Sequence, residues 1–180
     1  PHAARRNVDI TYLLMDNGIY GLTKGQTSPT SGTGLRTPTS PYDNAEVPLN
    51  PLLMMLSYGA SWVGQTSAGR PEHLRRMVVQ AIEHRGFSYL HILSPCVTFD
   101  KTHRTYQNLD TEVRELPADH DAGERIAAMR QAMRDEEPAI GIFFREARPT
   151  LGDTLDGLVE KSGGKPRIEG AAAAQRRAHA

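Results

Sequence analysis

Apolar positions along the chain predict strands and helices in alternation. Residues 9–15 are rich in β-forming and apolar side chains, which is typical of a buried strand, and residues 87–93 form a second such run. Between them Pro71 opens a helix, and its apolar positions recur at helical spacing until Gly86 ends it. The apolar face of that helix consists of Leu74, Met77, Val78, Ala81 and Ile82.

Two shorter elements precede this helix. Pro51 in a first helical turn predicts a helix to about Tyr58, and residues 60–66 predict a strand that carries Trp62. The order strand, helix, strand from residue 60 onward indicates a right-handed parallel crossover. We therefore predict an α/β fold, a mostly parallel sheet with helices on both faces.

The last third of the chain predicts a second αβ unit. Asp121 and Glu124 have the spacing of a capping box at the start of a helix. The apolar face of that helix consists of Ile126, Met129 and Met133. A strand at 139–144 and a helix at 154–161 are predicted to follow it.

A long polar loop follows the first strand. Residues 16–48 are rich in Gly, Ser, Thr and Pro, and loops beyond about 15 residues in compact domains are usually functional or disordered. In its first half, glycines let a ligand approach the backbone, and N–H groups and hydroxyls suit phosphate oxygens. Its second half, around residues 37–41, is predicted to be an extended connector. Lys24 precedes Gly25, so the spacing G-x-x-x-x-G-K-[ST] of a P-loop is absent.

Charge and composition exclude several classes of function. The 180 residues carry 21 basic and 21 acidic side chains, which argues against nucleic acid or an acidic membrane surface as the main partner. No apolar run approaches the ~20 residues of a membrane span. The single cysteine cannot form an internal disulfide, which favours a reducing, cytoplasmic setting. No metal-ligand spacing is found among His73, His84, His91, His103 and His120.

Three separated motifs identify a family. They are the loop DNGIYGLTKGQTSPTS at 16–31, His2 with Arg5-Arg6-Asn7, and Ser94-Pro95-Cys96-Val97-Thr98-Phe99. In this order they resemble the β subunits of 2-oxoacid:ferredoxin oxidoreductases over about residues 1–105. The resemblance implies that 1–105 are the C-terminal part of a thiamine diphosphate-binding domain and 106–162 a C-terminal αβ extension. Residues 163–180, which lack core periodicity, are predicted to be a flexible tail.

The resemblance implies thiamine diphosphate and Mg²⁺ as cofactors. It assigns the Asn17 side chain and the Ile19 carbonyl to Mg²⁺, which prefers hard oxygen ligands. Without the flanking match, Asn17 would be interpreted simply as a turn residue. By the same resemblance, the floor beside the diphosphate is formed by Gly21, Thr23, Gly25 and Gln26. The Gly-Asp-Gly that accompanies this turn in the family is not found in the 180 residues. The fold is therefore expected to be incomplete at its N-terminus, and the chain alone to bind little cofactor.

Cys96 has two interpretations. A lone cysteine is by default a small buried apolar residue. In the family that the chain resembles, this cysteine completes a [4Fe–4S] site whose other three ligands lie upstream. A cubane cluster needs four thiolates, so the 180 residues alone could not hold one.

Lys24 bears on the choice of substrate. By resemblance, Thr-Lys-Gly-Gln is of the 2-oxoglutarate type, and a cation here could pair with the distal carboxylate. Contact with coenzyme A phosphate or a solvated side chain are the alternatives. The implied activity is oxidative decarboxylation of a 2-oxoacid, with 2-oxoglutarate the best candidate, to its acyl-CoA. The implied partners are the α subunit and ferredoxin.

Other functions stay open from the residues. A pyruvate-using or broad-specificity enzyme of the same family is one alternative. Acetolactate-synthase-like decarboxylases share the cofactor but need no cluster cysteine, so Cys96 argues against them. A non-catalytic fragment or subunit-interaction domain is the third alternative.

Overall fold

Strands and helices alternate along most of the chain. The computed structural model describes residues 1–99, 110–134 and 137–163. The strands are β1 (Ile10–Asp16), β2 (Ile19–Tyr20), β3 (Gln26–Thr27), β4 (Trp62–Ser67), β5 (Phe87–Leu93), β6 (Arg114–Glu115) and β7 (Ala139–Arg145). The helices are α1 (His2–Arg6), α2 (Pro51–Ser57), α3 (Pro71–Glu83), α4 (Arg125–Ala132) and α5 (Leu151–Lys161). Apart from residue 163, the predicted tail lies outside the described residues.

The larger sheet has the strand order β1-β5-β4-β7-β6. β5 pairs in parallel with both β1 and β4, and β6 pairs in parallel with β7. The pairing of β4 with β7 is antiparallel, and β2 with β3 forms a separate two-stranded ribbon. The predicted α/β fold with a mostly parallel sheet is confirmed. No helix in the described part of the chain is long and apolar enough to cross a membrane.

Two apolar clusters cover the two faces of the sheet. Helices α1, α2 and α4 pack on one face, where Val63, Tyr89 and Phe143 are buried. Helix α3 packs on the other face through Met77 and Ala81 against Trp62 and Leu90. The strands between the clusters are buried on both faces, as parallel strands covered by helices usually are.

The prediction that the first strand is buried was wrong. β1 lies at one end of the sheet and, among the described strands of this sheet, pairs only with β5. Its side chains Ile10, Tyr12, Leu13 and Met15 are exposed by 41–77%. An apolar run of this length is compatible with a central or an edge position, so composition alone does not distinguish them.

The predicted capping box of the fourth helix was also wrong, and its predicted apolar face is confirmed only at Met129. Glu124 is the N-cap of α4 without a side-chain hydrogen bond, and the Asp121 carboxylate accepts instead from the N–H of Gly123. α4 packs through Ala128 and Ala132 with the partly buried Met129, while Ile126 and Met133 are more than half exposed. Alanine lets the helix backbone approach β7 and α2 closely, so the small residues form the contact.

The second half of the long loop is not an extended connector. Thr37 and Ser40 form an isolated antiparallel bridge. The N–H of Asn44 donates to the carbonyl of Leu35, and the N–H of Gly34 donates back to the carbonyl of Asn44. This half of the loop therefore folds back on itself.

Asn7 joins the N-terminal helix to three distant segments. It is 2% exposed and ends α1 with a left-handed φ of 50°. Its Oδ1 accepts from Ser61 Oγ at 2.6 Å and from the N–H of Phe87 at 2.9 Å. Its Nδ2 donates to the carbonyls of Arg148 and Pro149. One buried amide thus satisfies donors and acceptors that the sheet leaves unpaired.

We expect Asn7→Ala in the full-length protein to lower the free energy of unfolding by about 3 kcal/mol. It leaves a buried N–H without a partner and places alanine at positive φ. Asn7→Gly removes the same hydrogen bonds but tolerates the backbone, so it should lose about 1 kcal/mol less. Urea unfolding measures both changes, and a loss under about 0.5 kcal/mol for Asn7→Ala would contradict this role.

Candidate functional site

The parallel pairing of β1 and β5 brings two sequence motifs together. Asp16 is opposite Leu93 at the carboxyl ends of these strands. One residue further, the N–H of Ser94 donates to the carbonyl of Asp16 at 2.8 Å. The loop at 16–31 and the segment at 94–99 therefore leave the sheet side by side. Ligands of open α/β sheets bind at this edge.

Two consecutive turns shape the start of the loop. Asp16 Oδ1 accepts from the N–H of Gly18 at 2.9 Å, and Asn17 Oδ1 accepts from the N–H of Ile19 at 3.2 Å. Gly18 has a φ of 65°, which glycine adopts without strain. Asn17 is exposed and Ile19 is buried. The turn thus holds the Asn17 amide at the surface on a fixed backbone.

Hydroxyl groups from the far side of the loop fasten this turn. Thr30 Oγ1 donates to Asp16 Oδ1 at 2.7 Å, and Ser31 Oγ donates to the carbonyl of Gly18 at 2.5 Å. Ser31 itself is 2% exposed. Hydrogen bonds from side chains of the loop therefore hold this turn in place, as backbone pairing holds a strand within a sheet.

The middle of the loop is the tip of a hairpin that rests on the second motif. A Cβ atom on Gly21 would lie 4.0 Å from Cys96 Sγ, and one on Gly25 would lie 3.1 Å from the Phe99 ring. Gly25 also has a φ of 91°. Cys96 is a free, buried cysteine. Both glycines thus permit close packing of the hairpin on the segment that carries Cys96.

Lys24 lies at the exposed side of the same tip. Its φ of 76° is in the left-handed region, which an unbranched L-residue adopts at a cost. Beside it, Thr23 Oγ1 donates to Gln26 Oε1. None of Lys24, Thr23 and Gln26 lines the cavity next to Asn17.

That cavity has a volume of about 340 Å³. Asp16, Asn17, Gly18 and Thr30 line one side of it. Among the residues that line the remainder are Leu93, Ser94, Glu112 and Glu137. The acidic lining favours a cation, so an anionic diphosphate fits here together with its Mg²⁺ rather than alone.

Beneath the turn lies a buried polar chain that the sequence reasoning missed. His91 Nε2 is 3.0 Å from Asp16 Oδ2, and His91 Nδ1 is 2.7 Å from Gln65 Oε1. Gln65 Nε2 donates to the carbonyl of Ala139 at 2.8 Å. A polar residue near the carboxyl end of each of three neighbouring strands is the signal that could have revealed it.

The environment of Asp16 favours its ionised form. Burial raises the pKa of the carboxyl, but hydrogen bonds from His91, Thr30 and the N–H of Gly18 lower it by more. The net pKa therefore lies below the ordinary value of aspartate. A carboxylate is the acceptor that these donors require.

The residues present suit part of a Mg²⁺ and thiamine diphosphate site. Amide and main-chain oxygens at Asn17 and Ile19 are hard donors, and Gly18 has open space beside it. In the described ranges no group of three or more His, Cys, Asp or Glu could hold a metal ion. Cys96, the single cysteine of the 180 residues, can supply one thiolate of a cluster. If either group is bound, the chain would supply some of its ligands and would need others from elsewhere.

Two protein families match successive parts of the chain. Residues 1–92 match the family described as "Thiamine pyrophosphate enzyme, C-terminal TPP binding domain". Residues 96–160 match the family that represents the C-terminal part of the pyruvate ferredoxin oxidoreductase beta chain. The first match spans just over half of the chain.

Individual relatives carry names of one enzyme group. The chain is 38% identical to the 2-oxoacid:ferredoxin oxidoreductase subunit beta of Saccharolobus solfataricus over 65% of its own length and 38% of the relative. It is 32% identical to 2-oxoglutarate synthase subunit KorB of Methanothermobacter marburgensis over 91% of its own length and 58% of the relative.

A solved structure shows the same fold. It is 2-oxoglutarate:ferredoxin oxidoreductase from Magnetococcus marinus with 2-oxoglutarate, coenzyme A and succinyl-CoA bound, which matches with a TM-score of 0.83 and 43% identity. The match covers 91% of this chain and 56% of that one, so the chain spans little more than half of it. The chain belongs to the thiamine pyrophosphate enzymes, and its relatives are β subunits of 2-oxoacid:ferredoxin oxidoreductases.

Proposed function

We propose that this chain is part of the β subunit of an enzyme that oxidatively decarboxylates 2-oxoglutarate to its acyl-CoA and reduces ferredoxin. The observation that carries the proposal is the juxtaposition of the Asn17 turn with Cys96 at the ends of β1 and β5. Thiamine diphosphate supplies the electron sink for loss of CO₂ from a 2-oxoacid. A [4Fe–4S] cluster supplies one-electron transfer toward ferredoxin. Both sets of protein ligands meet at one hairpin.

The residues of the loop have separate tasks in this proposal. Asn17 and the Ile19 carbonyl hold Mg²⁺ and thereby the diphosphate. Gly21 and Gly25 bring the hairpin against the segment that carries Cys96, and Thr23 with Gln26 fixes its tip. This packing keeps the two motifs in contact.

Exposed apolar side chains support the proposed α-subunit partner. Leu22 at the hairpin tip is fully exposed, Met15 at the end of β1 is 77% exposed, and Tyr42 and Val47 in the loop are exposed by more than 85%. Large apolar side chains that are this exposed near a site are candidates for contact with a partner. In this proposal, the α subunit contacts the chain through the end of β1 and the loop that follows it, and the 2-oxoacid and coenzyme A bind near that contact.

Asn17→Ala in the full-length subunit should weaken Mg²⁺ affinity at fixed thiamine diphosphate concentration by at least about tenfold. Loss of a residue that only hydrogen-bonds to a metal ligand already lowers metal affinity by about 10–100-fold. Asn17→Asp keeps an oxygen donor and the acceptor for Ile19, so it should retain more cofactor. Dialysis against chelator followed by thiamine diphosphate analysis measures retention. Unchanged retention in Asn17→Ala would remove Asn17 from the metal site.

Cys96→Ser in the assembled enzyme should lower the iron content or destabilise the reduced cluster, because serine is a harder ligand than thiolate. Val97→Ser places the same residue at an exposed neighbour and should leave iron unchanged. Iron analysis and electron paramagnetic resonance report the outcome. An unchanged spectrum in Cys96→Ser would return Cys96 to the status of a buried apolar residue.

Lys24→Gly should reduce 2-oxoglutarate turnover by roughly 10- to 150-fold and spare pyruvate, since a charge-assisted hydrogen bond contributes about 1.5–3 kcal/mol. Glycine suits the φ of 76°, so a loss cannot be attributed to backbone strain. Lys24→Arg keeps the charge and should retain the preference. Steady-state kinetics with both substrates decides. Equal losses would assign Lys24 to coenzyme A or to the loop itself.

A further inference from the structure

His91 is a buried histidine that no task in the proposed function uses. It lies in β5 and is 5% exposed, yet both of its ring nitrogens have polar partners. Through Gln65 in β4 it reaches the first residue of β7, and through Asp16 it reaches the end of β1. A single polar chain therefore crosses four strands of the sheet directly below the cofactor-binding turn.

The directions of the hydrogen bonds that link Asp16, His91, Gln65 and Ala139 follow from the Ala139 carbonyl at one end of the series. The carbonyl of Ala139 can only accept, so the Gln65 amide must turn its nitrogen toward it. The Gln65 oxygen then faces His91 Nδ1, which must donate. The remaining contact, between His91 Nε2 and Asp16 Oδ2, joins two acceptors unless a proton lies between them. The backbone carbonyl of β7 thus sets the direction of the first two hydrogen bonds, and a proton between His91 Nε2 and Asp16 Oδ2 completes the third.

This hydrogen bond fixes the orientation of the Asp16 carboxyl group. With Oδ2 engaged by His91, Oδ1 points at the N–H of Gly18 and at Thr30 Oγ1. Asp16 also lines the cavity next to Asn17. Without His91, Oδ2 would lose its partner and only the two bonds to Oδ1 would hold the carboxylate. Rotation of Oδ2 toward the cavity would then weaken the bond from Gly18, whose N–H shapes the turn that presents Asn17 and Ile19.

We propose that His91 is a positioning residue for the Mg²⁺-binding turn, acting through Asp16 and held in place by Gln65. The inference rests on the proposed function of Asn17. It adds that affinity for Mg²⁺–thiamine diphosphate depends on the Nε2 side of His91 and much less on the Nδ1 side. A residue that only fills the core would show no such difference between its two nitrogens.

Two substitutions separate the two nitrogens. The amide nitrogen of glutamine reaches as far along the side chain as Nε2, whereas that of asparagine ends near Nδ1. His91→Gln therefore keeps the bond to Asp16 and loses the bond to Gln65. His91→Asn does the reverse, and both remove the ring. The pair is matched in chemistry and differs mainly in which partner stays bound.

The experiment measures the dissociation constant of thiamine diphosphate at saturating Mg²⁺ for the assembled full-length enzyme, together with unfolding of the cofactor-free form. His91→Asn should raise the constant by about 10–100-fold, the range for partners of metal ligands, and His91→Gln by less than about threefold. kcat at saturating cofactor should stay near the parent value in both variants. Equal effects in the two variants, or a larger effect in His91→Gln, would overturn the inference.

A second matched pair covers the case in which His91→Asn fails to assemble. Asp16→Asn can still accept from Gly18 and can donate to a neutral His91, whereas Asp16→Val has a similar size and can do neither. Both lose the charge. Asp16→Val should therefore bind the cofactor at least about tenfold more weakly than Asp16→Asn. Equal affinity of these two variants would overturn the inference.

The same measurements separate the inference from the proposed function. If the parent enzyme binds no thiamine diphosphate, or if Asn17→Ala binds it normally, the proposed function of the turn fails and the inference fails with it. If the parent binds it and Asn17→Ala does not, while the His91 variants behave alike, only the positioning role of His91 is overturned.

Discussion

The parallel pairing of β1 with β5 is the constraint on which the site depends. Its register runs without a break from Ile10 opposite Phe87 to Asp16 opposite Leu93, and the N–H of Ser94 extends it by one bond. A slip by one residue would turn every side chain of β1 to the other face of the sheet. It would also separate the loop from the segment that carries Cys96. Strand register, rather than any single side chain, makes the two motifs neighbours.

Above that edge the loop holds its shape through its own side chains. Aspartate, asparagine, threonine and serine bond to nearby backbone groups, and these bonds substitute for a ladder over residues 16–31. Such a loop needs little reordering when a ligand binds, which lowers the entropy cost of association. Rigid strands below and a polar chain between them complete the support.

Much of the fold could be predicted from sequence because apolar periodicity dominates the buried elements. The strand at 87–93 and the start of α3 at Pro71 agree with the structure, and β4 is shifted by two residues or fewer. Edge exposure of β1 could not be predicted, since the strand order depends on contacts between distant segments. The apolar face of α4 was misjudged because alanine packing depends on how closely its neighbours approach.

The site shows the same division. The sequence places the Asn17 turn after one strand and Cys96 after another, and both positions agree with the structure. His91 stands out only as one of three polar residues near the ends of neighbouring strands, because its partners are distant in sequence. Its partners Gln65 and Asp16 are 26 and 75 positions away. Only the topology that places β1, β5 and β4 next to one another makes them a group.

The exposed edge of β1 has a consequence for solution behaviour. In the described sheet its outer backbone groups have no strand beside them, and the edge carries apolar side chains without a proline or a lysine. Such an edge is a template for pairing with another copy. A preparation limited to these 180 residues would therefore self-associate as its concentration rises. The light scattering and the solubility limit of that preparation would be determined by the β1 edge rather than by the loop above it.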